Sequence, residues 1–352
     1  MHSTADVLRL VPAQRQHQFD GVTGEVIAEL QFEVGKVLIV QCSNGHKLIA
    51  PTLDGVSRAE AGDGVATSAW ASELAPSFRW SRQQELDFQQ ETIISVDQTN
   101  ESFILDSKAV FKWQLFAEES VAAQKELALH HADFANTPSL FGHLWWKNES
   151  GQDLLVASVV EYVRDSDDGW TWCPAALQAG ETQFAHELGV ITARMHAALR
   201  GERALNTGDS AALQLVHGDL HVGQVMKSGD NFYVIDFDGD PLLSFEKRNQ
   251  PASINTDIAS MMCSFTHAAM IALKHQPDSE AIKALIGICH EQFLAGYSSE
   301  SGITFSAVEL AAITQLMWAL EEREVRYATE FLPRWLYAPL GALEYMKEHY
   351  ER

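Results

Sequence analysis

Between Gly21 and Asp54, apolar and polar residues alternate in three short runs, 25–32, 36–41 and 47–50. This period-two patterning predicts strands, and Ser43-Asn44-Gly45 supplies the Asn-Gly step whose positive φ angles suit a tight hairpin turn. A small β-meander is expected. A break rich in Gly, Asp, Ala and Glu follows over 55–64, then a mixed stretch from Trp70 to Trp80 that reads as helix or connection, with a boundary between Ser81 and Gln90. A second β-rich block opens at Glu91, with strands over 92–96, 102–105 and 109–113 and a polar turn at Asp97-Gln98-Thr99-Asn100-Glu101. Residues 120–130 are mostly good helix formers, and 154–160 is an almost unbroken apolar run of the kind buried on both faces of a sheet. From Thr182 the spacing changes to three and four, with Phe184, Leu188, Ile191, Met195 and Leu199 on one side of a helix. Two short strands, 213–216 and 233–236, precede long helices over 254–273, 280–297 and 307–330. The order predicts an α+β protein in three parts: a β-rich cap over 1–88, a β-rich lobe over 89–163 and a helical lobe over 164–352.

Composition narrows the choice of partner. The 352 residues carry 25 Lys plus Arg against 48 Asp plus Glu, a net charge of −23 that repels nucleic acid and acidic membrane surfaces. Cys42, Cys173, Cys263 and Cys289 lie far apart without a C-x-x-C pair, so buried free thiols are expected rather than a zinc knuckle or a disulfide framework. No run of about 18 uncharged apolar residues occurs and the start lacks a leader pattern, which makes a cytoplasmic location the default expectation; a monomer is expected as well.

The densest chemistry is Val216-His217-Gly218-Asp219-Leu220-His221-Val222-Gly223-Gln224, followed by Val234-Ile235-Asp236-Phe237-Asp238-Gly239-Asp240. Six carboxylates or imidazoles in 24 residues between two apolar strands is a costly concentration that a fold tolerates chiefly where the groups bind something. Gln224 follows Asp219 by five residues and Asp236 follows it by 17, the order and spacing of the catalytic Asp, amide metal ligand and strand-end Asp of kinases. Asp219 is then the base that accepts the acceptor hydroxyl's proton. Gln224 and Asp236 would hold Mg²⁺ beside ATP phosphates, because hard cations prefer oxygen. A hydrogen-bonded strand-end turn is the bland alternative.

Upstream, Val110-Phe111-Lys112-Trp113 places one ammonium in an apolar strand, where a nucleotide phosphate would compensate it. Kinases pair such a Lys with a helix Glu; Glu126 is the candidate, Glu118 and Glu119 are closer competitors, and a solvated helix face is its plain alternative. With no glycine-rich phosphate loop in the sequence, the turn over the phosphates would be 97–102, using backbone N–H groups and the Thr99 and Ser102 hydroxyls. Glu161-Tyr162-Val163 ends the apolar run where a hinge strand would offer backbone to adenine. His196 reads as helix packing, and His130-His131 as surface.

At these residues the chain resembles the aminoglycoside phosphotransferase-like kinases, and within them the maltokinases and especially the bacterial glucosamine kinases. The resemblance rests on Val96-Asp97-Gln98-Thr99-Asn100-Glu101-Ser102, Phe111-Lys112-Trp113, Asp168-Gly169-Trp170-Thr171-Trp172, the His-Gly-Asp and Asp236–Pro241 segments, and Arg323-Glu324 with Tyr327-Ala328 leading into Leu332-Pro333-Arg334-Trp335-Leu336-Tyr337-Ala338-Pro339. It implies a protein-kinase-like two-lobed fold behind an N-terminal β-rich cap, with ATP and Mg²⁺ between the lobes and D-glucosamine phosphorylated at its 6-hydroxyl. It also implies His221, Asp240, Glu324 and Trp335 as holders of the sugar, since a protonated amino sugar suits carboxylates and an indole face; a buried core anchor is the alternative for Trp335. Related glucosamine kinases carry a longer helical insertion before the His-Gly-Asp loop, whereas about twenty residues separate His196 from His217 here. A maltokinase-like or aminoglycoside-directed enzyme, and a non-catalytic nucleotide-binding regulator, remain the rival functions.

Overall fold

The structure is a computed structural model that describes residues 3–350 apart from Ala61, Glu73, Ala75, 95–100, 201–212 and 276–279. The chain divides into two compact units, one of residues 1–123 with 138–164 and the other of 124–137 with 165–352.

In the first unit, helix α1 (Thr4–Leu10) starts at a reciprocal capping box between Ser3 and Asp6. Strands β1 (Gly24–Gln31), β2 (Lys36–Cys42) and β3 (Lys47–Thr52) form the expected antiparallel meander. Gly45 of the Asn-Gly step sits at φ +93°. After α2 (Val65–Ala71) comes an antiparallel six-stranded sheet in the order β4-β8-β9-β7-β6-β5. Its strands are β4 (Phe78–Arg82), β5 (Glu91–Ile93), β6 (Glu101–Leu105), β7 (Ala109–Trp113), β8 (Leu140–Lys147) and β9 (Asp153–Glu161). The sheet thus takes in 78–82, which the sequence pattern assigns to the cap, because Phe78–Arg82 ladders onto β8 from Trp146 to Gly142.

Burial alternates along β7: Ala109, Phe111 and Trp113 are buried while Val110 and Lys112 are half-exposed. The buried side shares one apolar cluster with Leu30, Phe32, Val37, Ile39 and Ile49 of the meander and Trp70 of α2. The meander therefore covers the sheet face opposite Lys112. Fully burying side chains of this size contributes about 1.5–3 kcal/mol each, so Phe111 and Trp113 fix which way Lys112 points.

The second unit contains helix α3 (Val121–His131) from Gln124 onward, then β10 (Ser166–Asp167), α4 (Gly169–Gln178), α5 (Gln183–Arg200) and β11 (Leu213–Gln214). The hairpin β12 (Val225–Ser228) and β13 (Asn231–Val234) follows, then α6 (Phe245–Arg248) and β14 (Ala252–Ser253). Long helices α7 (Ile254–His275), α8 (Glu280–Ser301), α9 (Ala307–Glu330) and α10 (Tyr337–His349) complete it. Phe184, Leu188, Ile191, Met195 and Leu199 all enter the core, as their spacing predicts. The backbones of α5 and α8 touch: a Cβ on Gly189 would stand 2.1 Å from the Phe293 carbonyl oxygen, and one on Gly296 2.0 Å from that of His186. All four cysteines are free and buried. Among the described residues, no helix is long and apolar enough to cross a membrane.

Candidate catalytic site

The His-Gly-Asp loop is held from beneath by a buried carboxylate. Asp257, fully buried in the first turn of α7, accepts the His217 N–H at 2.7 Å and the Gly218 N–H at 2.8 Å. Its Oδ2 also lies 2.9 Å from His196 Nε2, whose Nδ1 meets the Tyr297 hydroxyl at 2.9 Å. Burial works to raise the Asp257 pKa, but His196, His217 and the Gly218 N–H outweigh it and hold the carboxyl below its ordinary value. His217 donates from Nε2 to the Ile235 carbonyl at 2.9 Å and accepts the Asp219 N–H on Nδ1 at 3.2 Å, a neutral tautomer consistent with burial lowering its pKa. Gly218, at φ +87°, makes the turn.

Lys125 on α3, 3% exposed, donates to the His217 carbonyl at 2.8 Å and the Phe237 carbonyl at 3.2 Å. Burial lowers its pKa, opposed by Asp257, Asp238 and Asp236.

The β12–β13 hairpin pairs Val225 with Val234, and the Ile235 N–H donates to the Gln224 carbonyl at 2.9 Å. Gln224 and Asp236, far apart in kinase-motif spacing, thereby leave the same end of one hairpin. Asp236 takes a left-handed φ of +62°. The Asp219 carboxyl is pushed up to about 8 by burial first, then by Asp240 and Asp236, with Arg323 opposing. This crowding of acids is what a bound divalent cation relieves. The oxygen donors of Asp219, Gln224 and Asp236 are of the type a hard cation such as Mg²⁺ prefers; among the described residues no group of three or more His, Cys, Asp or Glu side chains that could hold a metal ion is present.

His221 Nε2 lies 3.8 Å from Asp219 Oδ2, and its ring stacks on Trp170 at 5.5 Å. Burial takes the imidazole down to about 4, leaving it neutral. Two glycines permit this packing: a Cβ on Gly169 would stand 1.7 Å from the Val222 carbonyl oxygen, and one on Gly223 2.3 Å from Trp170 Nε1. Asp240 is 5% exposed and pairs with Arg323, which also meets Glu324 Oε1 at 3.3 Å. Arg323 is thus the counter-charge in a group of acids that includes Asp219. Trp335 is 49% exposed and stacks on Tyr337 at 6.2 Å, which removes the buried-anchor alternative.

In the first unit, Lys112 stands in register between Ser102 on β6 and Ser158 on β9, and the polar row continues through His143 on β8 to Ser81 on β4. Thr99 lies outside the described residues. Glu126 is half-buried on α3, within the second unit. Glu161 is exposed; its carboxylate accepts the Ser139 hydroxyl at 2.8 Å and its N–H donates to the Ser139 carbonyl. The Tyr162 N–H donates to the Lys108 carbonyl, and Val163 follows half-buried. Sequence patterns missed Asp257 and Lys125. An acid in a first helical turn, and a Lys among helix formers, are ordinary on solvated helices, so neither carried a signal.

No protein-family model matches the chain. A glucosamine kinase from Mycolicibacterium smegmatis is 31% identical over 310 residues, covering 71% of this chain and 78% of that protein. One from Streptacidiphilus jiangxiensis is 32% identical over 314 residues, covering 70% and 71%. A solved glucosamine kinase in complex with glucosamine, ADP and inorganic phosphate matches with a TM-score of 0.77 at 26% identity, over 93% of this chain and 94% of that one. Shared across this much of both sequences and of the fold, the likeness reaches well beyond the His-Gly-Asp loop, and the chain belongs to the glucosamine kinase family.

Proposed function

We propose that this protein transfers the γ-phosphoryl group of ATP to the 6-hydroxyl of D-glucosamine, acting as a cytoplasmic monomer with Mg²⁺. The observation that supports the proposal is the joint between the His-Gly-Asp loop and the β12–β13 hairpin, where the Ile235 N–H donates to the Gln224 carbonyl and Asp236 lies near enough to Asp219 to help raise its pKa. The glucosamine, ADP and phosphate bound to the solved relative support the choice of acceptor and nucleotide.

Asp219 accepts the proton of the sugar hydroxyl on a carboxylate oxygen as the hydroxyl oxygen attacks phosphorus and ADP departs; such positioned bases contribute about 10²–10⁴-fold. Gln224 and Asp236 would hold Mg²⁺, which when bound neutralises phosphate charge. Lys112 neutralises phosphate from the first unit, with Ser102 beside it in register on β6; Glu126, its expected helix partner, belongs to the second unit, and Thr99 lies outside the described residues. Residues 161–163 offer backbone to adenine. His221, Asp240, Glu324 and Trp335 orient the amino sugar, whose ammonium suits the acids around Arg323. The N-terminal meander and α2, which pack on the buried side of the six-stranded sheet, act as its brace.

A radiolabelled-ATP transfer screen over glucosamine, maltose, glucose and kanamycin tests this. The expected outcome is a kcat/KM for glucosamine well above the other three, lost on omission of Mg²⁺. Preference for maltose or kanamycin would overturn the acceptor assignment, and absence of transfer to all four would overturn the enzyme.

A further inference from the structure

We propose that Lys125 is a positioning residue for phosphoryl transfer, a single ammonium that ties the catalytic loop to the metal-binding segment. This rests on the roles proposed above for Asp219 and Asp236. The two carbonyls it binds belong to His217, two residues before Asp219, and Phe237, one residue after Asp236. They come from separate stretches of chain and converge on one donor. Lys125 Nζ also lies 3.8 Å from where a Cβ on Gly218 would stand, so the ammonium sits against the turn of the loop itself.

An apolar side chain of similar length would fill the same space in this 3% exposed position. It would leave both carbonyls without their donor. Burying an ammonium is costly unless it is compensated, so its presence here signals a role that packing alone does not supply. Misplacing a reacting group by about 1 Å costs on the order of 10²-fold in rate. Lys125 fixes the separation of two segments that must agree to better than that.

Lys125 is distinct from Lys112, the strand ammonium assigned to phosphate. It touches backbone only in the described contacts, and its effect is expected in kcat rather than in substrate binding. With a merely structural role, the variant would lose folded protein while each folded molecule kept its turnover.

The test compares the full chain with Lys125→Met, Lys125→Ala and the surface control Lys283→Met. Wild-type glucosamine phosphorylation and its loss in Asp219→Asn establish the underlying reaction first; their failure would refute the proposed function, separately from Lys125. For folded Lys125→Met, verified by thermal melting and circular dichroism, kcat should fall about 10²-fold while KM for glucosamine and ATP changes less than about threefold. Lys125→Ala should recover part of its kcat when propylammonium is added, as a small cation enters the vacated space. A folded Lys125→Met variant with kcat within threefold of wild type overturns the proposal. So does a loss confined to KM. If Lys125→Met does not fold, the proposal stands or falls on whether propylammonium raises kcat of Lys125→Ala, since a purely packing role predicts no such response.

Discussion

Replacing Asp257 with Asn changes one atom type at the point where the His-Gly-Asp loop is anchored. The carboxylate accepts three hydrogen bonds at 2.7, 2.8 and 2.9 Å, from the His217 and Gly218 N–H groups and from His196. Asn supplies only one oxygen, so its NH₂ must face at least one backbone N–H. Hydrogen bonds to a charged group are worth about 1.5–3 kcal/mol each, and an unsatisfied buried donor costs about 1–3 kcal/mol. Some compensation by rotation of His196 leaves an expected loss of about 3–5 kcal/mol, in the range for breaking a buried pair. The displaced loop carries Asp219, so kcat should fall by about 10²-fold as well. Urea unfolding with matched m values gives the first quantity and steady-state kinetics with glucosamine the second. The pH dependence gives a third. Asp257 is held below its ordinary value, so its stabilisation is fully present above the unfolded carboxyl pKa of about 3.9 and fades as pH drops through the folded value. The stability gap between wild type and Asp257→Asn should therefore shrink in acid. An Asp257→Asn protein within 0.5 kcal/mol and threefold in kcat of wild type, values inside the usual range of about ±0.5 kcal/mol for neutral substitutions, would refute the anchor.

Two glycines of α8 should respond oppositely to alanine. Gly296→Ala forces its Cβ to 2.0 Å from a backbone oxygen and should be strongly destabilising, whereas Gly287→Ala, whose nearest contact is the Tyr345 hydroxyl at 3.5 Å, should gain about 0.5–1 kcal/mol from helix propensity, both read by urea unfolding. In the ligand-free protein, ¹³C carboxyl NMR should find the Asp219 side chain titrating near 8, and Mg·ADP should lower that value. Glu321 is fully buried, 2.8 Å from His267, and although burial lowers the His267 pKa, Glu321 more than reverses this. That stabilisation is complete below the unfolded histidine pKa of about 6.5 and fades as pH rises through the folded value, so the stability difference between wild type and Glu321→Gln should narrow in alkali. A constant difference from pH 5 to 9 would remove the coupling.

Local patterns carried most of the fold. Ala109–Trp113 alternates cleanly and Ala307–Glu330 opens on a Ser306–Glu309 capping box, so both elements match their patterns end to end. Strand β8, Leu-Phe-Gly-His-Leu-Trp-Trp-Lys, escaped because burial on both faces erases the period of two and a glycine sits within it. Helix α10 escaped because Pro339 and Gly341 lie inside it. The short strand expected over 213–216 shrinks to Leu213–Gln214, whose only ladder partner in the described residues is β14. In the candidate site, Asp219, Gln224 and Asp236 are singled out by a local spacing that matches kinase chemistry, and the structure joins the loop and hairpin that carry them. Asp257 and Lys125 act across 40 and 92 residues of chain, and nothing in their immediate neighbours marks them.

The apolar cluster behind β7 makes the N-terminal meander part of the machine that aims Lys112. Trimming it would uncover Phe111, Trp113 and Trp146 as a sticky aromatic wall, and a shortened enzyme would clump before it could be assayed. Drift in the meander is then policed from across the sheet: a substitution at Val37 or Ile39 tilts the floor on which Lys112 stands.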